Sequence, residues 1–471
     1  MTEGSTKASV NTSRWVLVLT SVASFMVALD ALVVTTALTT IRLDLNASVE
    51  ALEWTVNAYG LTFAVLLLTG AALGDRFGRK RLFATGLALF IAASAACALS
   101  GNAAALIAAR AAQGVGAALI MPLAMALLTA AFPREQRAKA LGIFGSITGL
   151  ALIAGPVVGG AIAGGLAWQW IFWVNLPIGL VALLLVSRHI EESHGADTKL
   201  DITGLVLATG AALALVWGLM HGNAAGWTSV EVLGTLTVGA LLAVIFVAYE
   251  SRASAAMVPL RLFASRSFAA GNAAGFALYA SMYGVVFFLP QFLQAAQGND
   301  AFGAGLRLLP WTATLFIFAP IGGALVNQVG ERALVVLGLT LQALGFAWIA
   351  LRATPSLPYL EIVVPLIVSG AGVSIAMPAA QNAVLSAVAP ADIGKASGIF
   401  NMLRYLGGAF GVALLGAVFA AYGSFASANA FTSGFAPAMG LSAALSVLAA
   451  LAGTRLPGRR KLATAQAGVT T

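Results

Sequence analysis

Two charged side chains stand where the sequence around them is almost wholly apolar: Asp30, in the run from Trp15 to Leu38, and Arg110, in the run from Ala103 to Ala130. A charge at the centre of a bilayer costs about 2.5 to 3.5 kcal/mol, so residues of this kind mark proton carriers, ligand counter-ions or ion pairs that orient a helix. A carboxyl can load and unload a proton; a guanidinium stays charged and must be paired with carboxylate, amide or backbone oxygens. Arg404, just before Tyr405 in another apolar run, is a third such charge, and its long stem allows it to reach an interface. His189, His194 and His221 all lie near loops and Cys97 is the only cysteine, which leaves neither an internal disulfide nor a cysteine-based metal site. No GxxxxGK[ST] phosphate cradle is present, which excludes a nucleotide-driven pump.

Elements long enough to span a bilayer must hold these charges. Of 471 residues, 60% are hydrophobic and 9% charged, with a mean hydropathy of +0.94, whereas a soluble domain carries about a quarter charged residues. The chain reads as an all-α polytopic membrane protein. Apolar windows of about twenty residues divide it into fourteen transmembrane helices: a six-helix bundle over 14–190, two linker helices within 191–265 and a second six-helix bundle over 266–455, with tails at 1–13 and 456–471. The net charge of +8 does not point to nucleic acid, because the basic residues are dispersed among loops without interleaved aromatics. It records topology. Lys and Arg gather in cytoplasmic loops, and alternation leaves only Arg42, Arg307 and Arg352 on the outer side, so both termini are expected in the cytoplasm. The lipid bilayer is the one large partner implied, and the chain is expected to work as a monomer.

The sharpest punctuation is Gly70 to Arg81, GAALGDRFGRKR, where Asp75, Arg76, Arg79, Lys80 and Arg81 separate two spans. Charges this dense place the turn at a membrane face, and their basic excess places it inside. Asp75 adds nothing to orientation, so it is expected to dock at a helix N-terminus or on an arginine of another repeat. A weaker copy lies about 252 residues on, where Gly322, Leu325, Asn327, Gly330 and Arg332 answer Gly70, Leu73, Asp75, Gly78 and Lys80. Gly114, Gly116, Met121 and Pro122 return at Gly370, Gly372, Met377 and Pro378, and the KALGIF that starts at Lys139 returns as KASGIF at Lys395. The chain is a parallel duplication, a construction used by many secondary transporters. Gly149, Gly155, Pro156, Gly159 and Gly160 give small-xxx-small spacing around a proline, expected to form a close, kinkable contact between the halves.

The Gly70–Arg81 turn resembles the signature between the second and third helices of the major facilitator superfamily, and further stretches resemble its fourteen-helix drug:proton antiporter branch. Leu29-Asp30 with Val33-Val34 and Ala37-Leu38 is similar to the first-helix pattern, with Thr35-Thr36 where Asn-Val is commoner. Leu106, Arg110, Gln113, Gly114 and Gly116 resemble the fourth-helix pattern, Gly149 to Gly160 the fifth-helix antiporter pattern, and Trp168 to Phe172 with Asn175, Pro177 and Gly179 the sixth-helix one. The likeness covers nearly the whole chain. It implies no enzymatic step and no cofactor beyond a proton gradient: small hydrophobic or amphiphilic compounds would leave across the inner membrane in exchange for protons. Asp30 and Arg110 would couple the proton, and Gly70, Asp75, Arg76, Gly78 and Arg79 would form a cytoplasmic latch. Polar or aromatic residues within spans suggest a cavity drawing on Asn57, Tyr59, Gln113, Met121, Asn272, Tyr279, Tyr283, Gln291, Trp311, Gln381, Asn382, Asn401 and Arg404. With Asp30 the one deep acid, substrates are expected to be neutral or monocationic. An importer of the same fold is the alternative, disfavoured by the glycine–proline stretch; a membrane receptor or scaffold would have no need of a buried Asp30.

Overall fold

The computed structural model describes residues 2–195, 200–253 and 256–458, and the side chains of all of these except 2–12, 134, 138, 327 and 391. Among the described residues there is no strand, and fourteen helices are long and apolar enough to cross a membrane. They are α1 (Ser13–Asp44), α2 (Val49–Phe77), α3 (Arg79–Ala98), α4 (Ala103–Ala131), α5 (Glu135–Gly165), α6 (Trp170–His189), α7 (Ile202–Ala225), α8 (Val230–Glu250), α9 (Arg266–Ala296), α10 (Ala301–Val326), α11 (Glu331–Arg352), α12 (Tyr359–Leu385), α13 (Ile393–Tyr422) and α14 (Ala428–Gly453). The helix that contains α1 begins at Thr2, so the expected N-terminal tail continues the first span as helix.

Apolar runs supply the spans, and short polar side chains set where several begin. Ser48, Asn102, Ser229, Ser265 and Ser427 each accept a hydrogen bond from the backbone N–H three residues on, at 3.1, 2.9, 3.2, 3.4 and 3.1 Å. Each bond satisfies a donor that a helix start leaves orphaned.

The chain forms two compact units. One holds the residues up to Thr209 with Asp300–Leu306; the other holds Gly210–Asn299 and the residues from Arg307 onward. Within the first, α1 packs on α5, α2 and α3 pack on α4, and α3 on α6; within the second, α9 packs on α13, α10 and α11 on α12, and α11 on α14. The same pairs recur eight helices on. Glycines make the recurrence specific: a Cβ on Gly114 would lie 2.5 Å from the Tyr59 carbonyl oxygen, and one on Gly370 would lie 2.5 Å from that of Trp311. Gly86 and Gly116 face each other across α3 and α4 as Gly338 and Gly372 do across α11 and α12, and backbones come this close only where no side chain intervenes. Gly78 and Gly330 turn the chain at φ of +109° and +90°, a region glycine enters without the Cβ penalty. Asn327, the expected counterpart of Asp75, lies outside the described side chains. In the second unit α9 is the core helix, with 78% of its apolar window buried, while α8 has only 11% buried and turns Val238, Leu241 and Val244 outward.

The glycine–proline stretch of α5 is split by its contacts. Gly155 and Gly159 seat α5 on α1, where added Cβ atoms would lie 2.6 Å from Leu32 Cβ and 2.5 Å from the Val33 carbonyl oxygen. Gly160 and Pro156 receive the Ala301–Leu306 turns, since a Cβ on Gly160 would strike the Ala301 carbonyl and one on Gly305 the Pro156 carbonyl. α5 thus makes its close contacts with α1 and with residues 300–306, which lie in the second half of the sequence but in the same compact unit as α5. At Gly149, by contrast, nothing lies within 4 Å of a built Cβ.

Candidate functional site

Asp30 lies near the middle of α1 at 2% exposure, and Arg110 on α4 is fully buried. Arg110 Nη1 donates to Asp30 Oδ2 and, at 2.7 Å, to Gln113 Oε1; its Nε donates to the Thr55 carbonyl of α2 at 3.1 Å. Gln113 Nε2 donates to Asp30 Oδ1 at 2.8 Å and to Ser94 Oγ of α3 at 2.9 Å, and Asn175 Nδ2 of α6 donates to Asp30 Oδ1 at 2.9 Å. The guanidinium carbon sits 4.3 Å from the Tyr59 ring centroid and 5.8 Å from that of Phe172. Tyr59 is itself held by its hydroxyl, which donates to the Val27 carbonyl at 3.1 Å. Five helices, α1, α2, α3, α4 and α6, therefore meet in one polar cluster around this carboxylate. Donors from Arg110, Gln113 and Asn175 all point at it, and a buried ion pair is tolerable only when its remaining hydrogen-bonding capacity is met in this way.

Asp30 and Arg110, each expected to couple the proton, meet in one ion pair. Gln113 and Tyr59, expected in a substrate cavity, belong to this polar cluster. Asn175 entered the sequence reading only as part of a motif; Ser94 and the Thr55 carbonyl were missed, because a lone hydroxyl or a backbone oxygen leaves no mark in an apolar run. Glu53 was also passed over: it is 3% exposed on α2. The second unit answers the cluster with neutral groups. Leu366 is buried in the place of Arg110, and Ser281 Oγ meets Ser442 Oγ at 2.7 Å, Ser446 Oγ at 2.8 Å and Gln342 Nε2 at 3.0 Å.

The remaining cavity residues scatter. Asn57 is buried on α2 and Met121 half-buried on α4. Asn272 and Gln291 are buried on α9, their amide groups donating to Phe268 and Phe287 carbonyls of the same helix, with Asn272 Oδ1 and Gln291 Oε1 left without partners among the described residues. Trp311 Nε1 is likewise buried and unpartnered, and Asn401 donates to the Ser397 carbonyl of its own helix. Gln381 and Asn382 are exposed, and Asn382 donates to Glu331 Oε1 at 2.8 Å at the start of α11; the sequence could not separate a helix end from a cavity wall. Tyr279, Tyr283 and Arg404 form a group of their own.

The latch turn has a different partner from the one expected. Asp75 Oδ1 accepts from Arg79 Nε at 2.8 Å, one turn along and not in another repeat, while Arg76 is exposed. What closes the turn is the segment of chain after α6. Glu192 accepts from the backbone N–H groups of Lys80 at 2.8 Å and Arg81 at 3.2 Å; Arg79 N–H donates to the Ser193 carbonyl at 2.9 Å, and Gly195 N–H to the Asp75 carbonyl at 3.0 Å. A carboxylate at the N-terminus of α3 meets orphaned donors and the positive end of the helix dipole. A Cβ on Gly78 would lie 2.7 Å from the Glu192 carboxyl carbon, so the turn and its cap need this glycine.

The model of the Major Facilitator Superfamily matches residues 20–270 and 271–469, and the chain belongs to that superfamily. It is 35% identical over 408 residues to the multidrug resistance protein Stp of Mycobacterium tuberculosis, which covers 86% of this chain and 76% of that protein. It is 34% identical over 409 residues to the tetracenomycin C resistance and export protein of Streptomyces glaucescens, again covering 86% and 76%. Among solved structures, a POT family transporter in complex with a thioalcohol-conjugated peptide superposes with a TM-score of 0.70 over 92% of this chain and 94% of that one. At 15% identity that likeness speaks for the fold alone. The protein is a multi-pass membrane protein of this superfamily.

Proposed function

We propose that the protein exports small hydrophobic or amphiphilic compounds, such as drugs, antibiotics or metabolites, across the cytoplasmic membrane in exchange for protons. Both termini lie in the cytoplasm, the monomer in its bilayer is the working unit, and the proton gradient takes the place of any cofactor. The observation that carries the reading is the buried Asp30–Arg110 pair, held by Gln113 and Asn175, in a chain whose relatives are named resistance and export proteins. A proton taken up by Asp30 cancels the charge that holds Arg110. The guanidinium, which cannot discharge, keeps Gln113 Oε1 and the Thr55 carbonyl. α1 is then loosened from α4 and α6 near the level where Gly155 and Gly159 seat it on α5. Protonation thereby biases a choice between two arrangements, which is what coupling requires. Each proton moved through 100 mV supplies about 2.3 kcal/mol before any pH gradient is added.

The test is substrate-induced proton movement in energised vesicles. Asp30→Asn keeps size and hydrogen bonding but removes titration, so the protein inserts while proton-driven concentrative export disappears; Asp30→Glu retains part of it with an altered pH dependence. Wild-type exchange rates in Asp30→Asn would place the coupling group elsewhere.

A further inference from the structure

The second unit contains a half-buried cation that proton coupling does not use. Arg404 stands near the middle of α13, its guanidinium carbon 4.7 Å from the Tyr279 ring centroid and 5.3 Å from that of Tyr405. Tyr283, one turn beyond Tyr279 on α9, is within hydrogen-bonding reach of the guanidinium, and its ring centroid lies 6.3 Å from that of Tyr279 and 6.5 Å from that of Tyr405. Phe400, a turn before Arg404, closes the back of this box against Tyr279.

Arg110 has a carboxylate to meet its charge; Arg404 has none among the described residues, and its Nε is buried with no hydrogen-bond partner. An arginine cannot escape that position by losing its proton. Tyrosine faces and hydroxyls offset part of the cost, but the fork of donors is shaped for a planar oxyanion, which it grips in two parallel hydrogen bonds. Tyr283, Arg404 and Tyr405 each keep part of their surface open, while Tyr279 behind them is 2% exposed. The arrangement therefore offers an oxyanion grip beside flat aromatic surface.

We propose that Arg404, with Tyr283 and Tyr405, binds the acidic group of the exported compound, and that the substrates are flat, largely aromatic organic acids carried as anions. This rests on the exporter reading and narrows it. It also turns round the sequence expectation of neutral or monocationic compounds, because a second cation beside Arg404 would meet like charge. Asp30 is left to the proton alone.

Two xanthene dyes of similar size separate the possibilities: fluorescein, an acid, and rhodamine 123, a cation. Fluorescence anisotropy on purified, detergent-solubilised protein with no gradient measures their binding. Wild-type protein binds fluorescein more tightly than rhodamine 123; Arg404→Gln weakens fluorescein by about tenfold or more, the loss of one charge-assisted contact, without weakening rhodamine 123. Arg404→Lys, which keeps charge but loses the fork, falls between. If Arg404→Gln is not recovered as a monodisperse species, Arg404→Lys and Tyr283→Phe carry the same test. Wild-type affinity for fluorescein in the variants, binding of neither dye by the wild type, or a wild-type preference for rhodamine 123 overturns the proposal. The assay uses de-energised protein, so its outcome is independent of whether Asp30→Asn vesicles lose proton coupling.

Discussion

A buried aspartate and a buried arginine are unequal partners, because only one of them can discard its charge. Asp30→Leu leaves Arg110 charged beside a hydrocarbon side chain, a loss of about 3 to 5 kcal/mol for breaking one side of a buried pair. Arg110→Leu leaves a carboxyl that can take up a proton and still receive Gln113 and Asn175. The thermal midpoint of Asp30→Leu, read by gel filtration after heating, is therefore expected to fall further than that of Arg110→Leu; the reverse order would show that the guanidinium is content without its carboxylate. Asn175→Leu removes one donor from the same oxygen and is expected to cost about 1 to 3 kcal/mol on the same assay. At this scale the sequence revealed the two charges and concealed their holders. A charge in an apolar run is expensive enough to be conspicuous, whereas Ser94 and Asn175 are neutral, cheap to bury once bonded, and come from helices whose proximity no local spacing announces.

Between helices, glycine decides where backbones meet, and the contacts separate glycines that look alike in sequence. Gly159→Ala would set a Cβ 2.5 Å from the Val33 carbonyl oxygen and must push α5 off α1, while Gly149→Ala meets nothing within 4 Å. Transport and thermal stability are expected to drop in the first and stay near wild type in the second; equal effects would show that the α1–α5 seat yields freely. The strap after α6 gives a second contrast. Glu192→Ala strips the cap from Lys80 and Arg81 N–H, a loss of about 0.5 to 2 kcal/mol by analogy with other helix caps, and should speed hydrogen exchange of those two amides; unchanged exchange would mean the strap is ornamental. In the other unit, Arg261 donates to both oxygens of Asp392, at 3.0 and 2.6 Å, and ties the turn before α9 to the turn before α13. The Arg261 hydrogen bonds, helped by the charges of Arg261 and Lys395, hold the Asp392 carboxyl below its ordinary value. A depressed carboxylate stabilises the folded state above the ordinary value of about 4 and loses that contribution as the pH falls through its lowered one. Stability curves of wild type and Asp392→Asn should therefore differ near neutrality and converge in acid; a gap that widens in acid would give the pair the wrong sign.

For the whole molecule, the duplication was legible because it is written in glycines, and glycines at fixed offsets are contacts at fixed offsets, as Gly114 with Tyr59 and Gly370 with Trp311 show. The assignment of Asp300–Leu306 to the first compact unit was not legible, since a docking contact far along the chain has no period. Orientation depends on neither packing nor repeats. It follows from the loops, where Arg76 to Arg81, Lys139, Arg332 and Lys395 fall at alternate helix ends while the intervening ends hold only Arg42, Arg307 and Arg352. Translocating a basic loop against the membrane potential is unfavourable, so the basic ends are expected to remain inside. The chain lends itself to a direct measurement, because its one cysteine, Cys97, is buried and can be replaced by alanine. In that background, Lys139→Cys, Arg332→Cys and Lys199→Cys, the last at a position outside the described residues, should resist an impermeant thiol reagent applied to intact cells and react once the cells are opened. Leu43→Cys and Arg352→Cys, both at exposed positions, should react from outside without opening. Labelling of the residue 199 cysteine in intact cells would leave the two linker spans unable to preserve the phase of the second bundle, and the six, two, six arrangement with both termini in the cytoplasm would have to be abandoned.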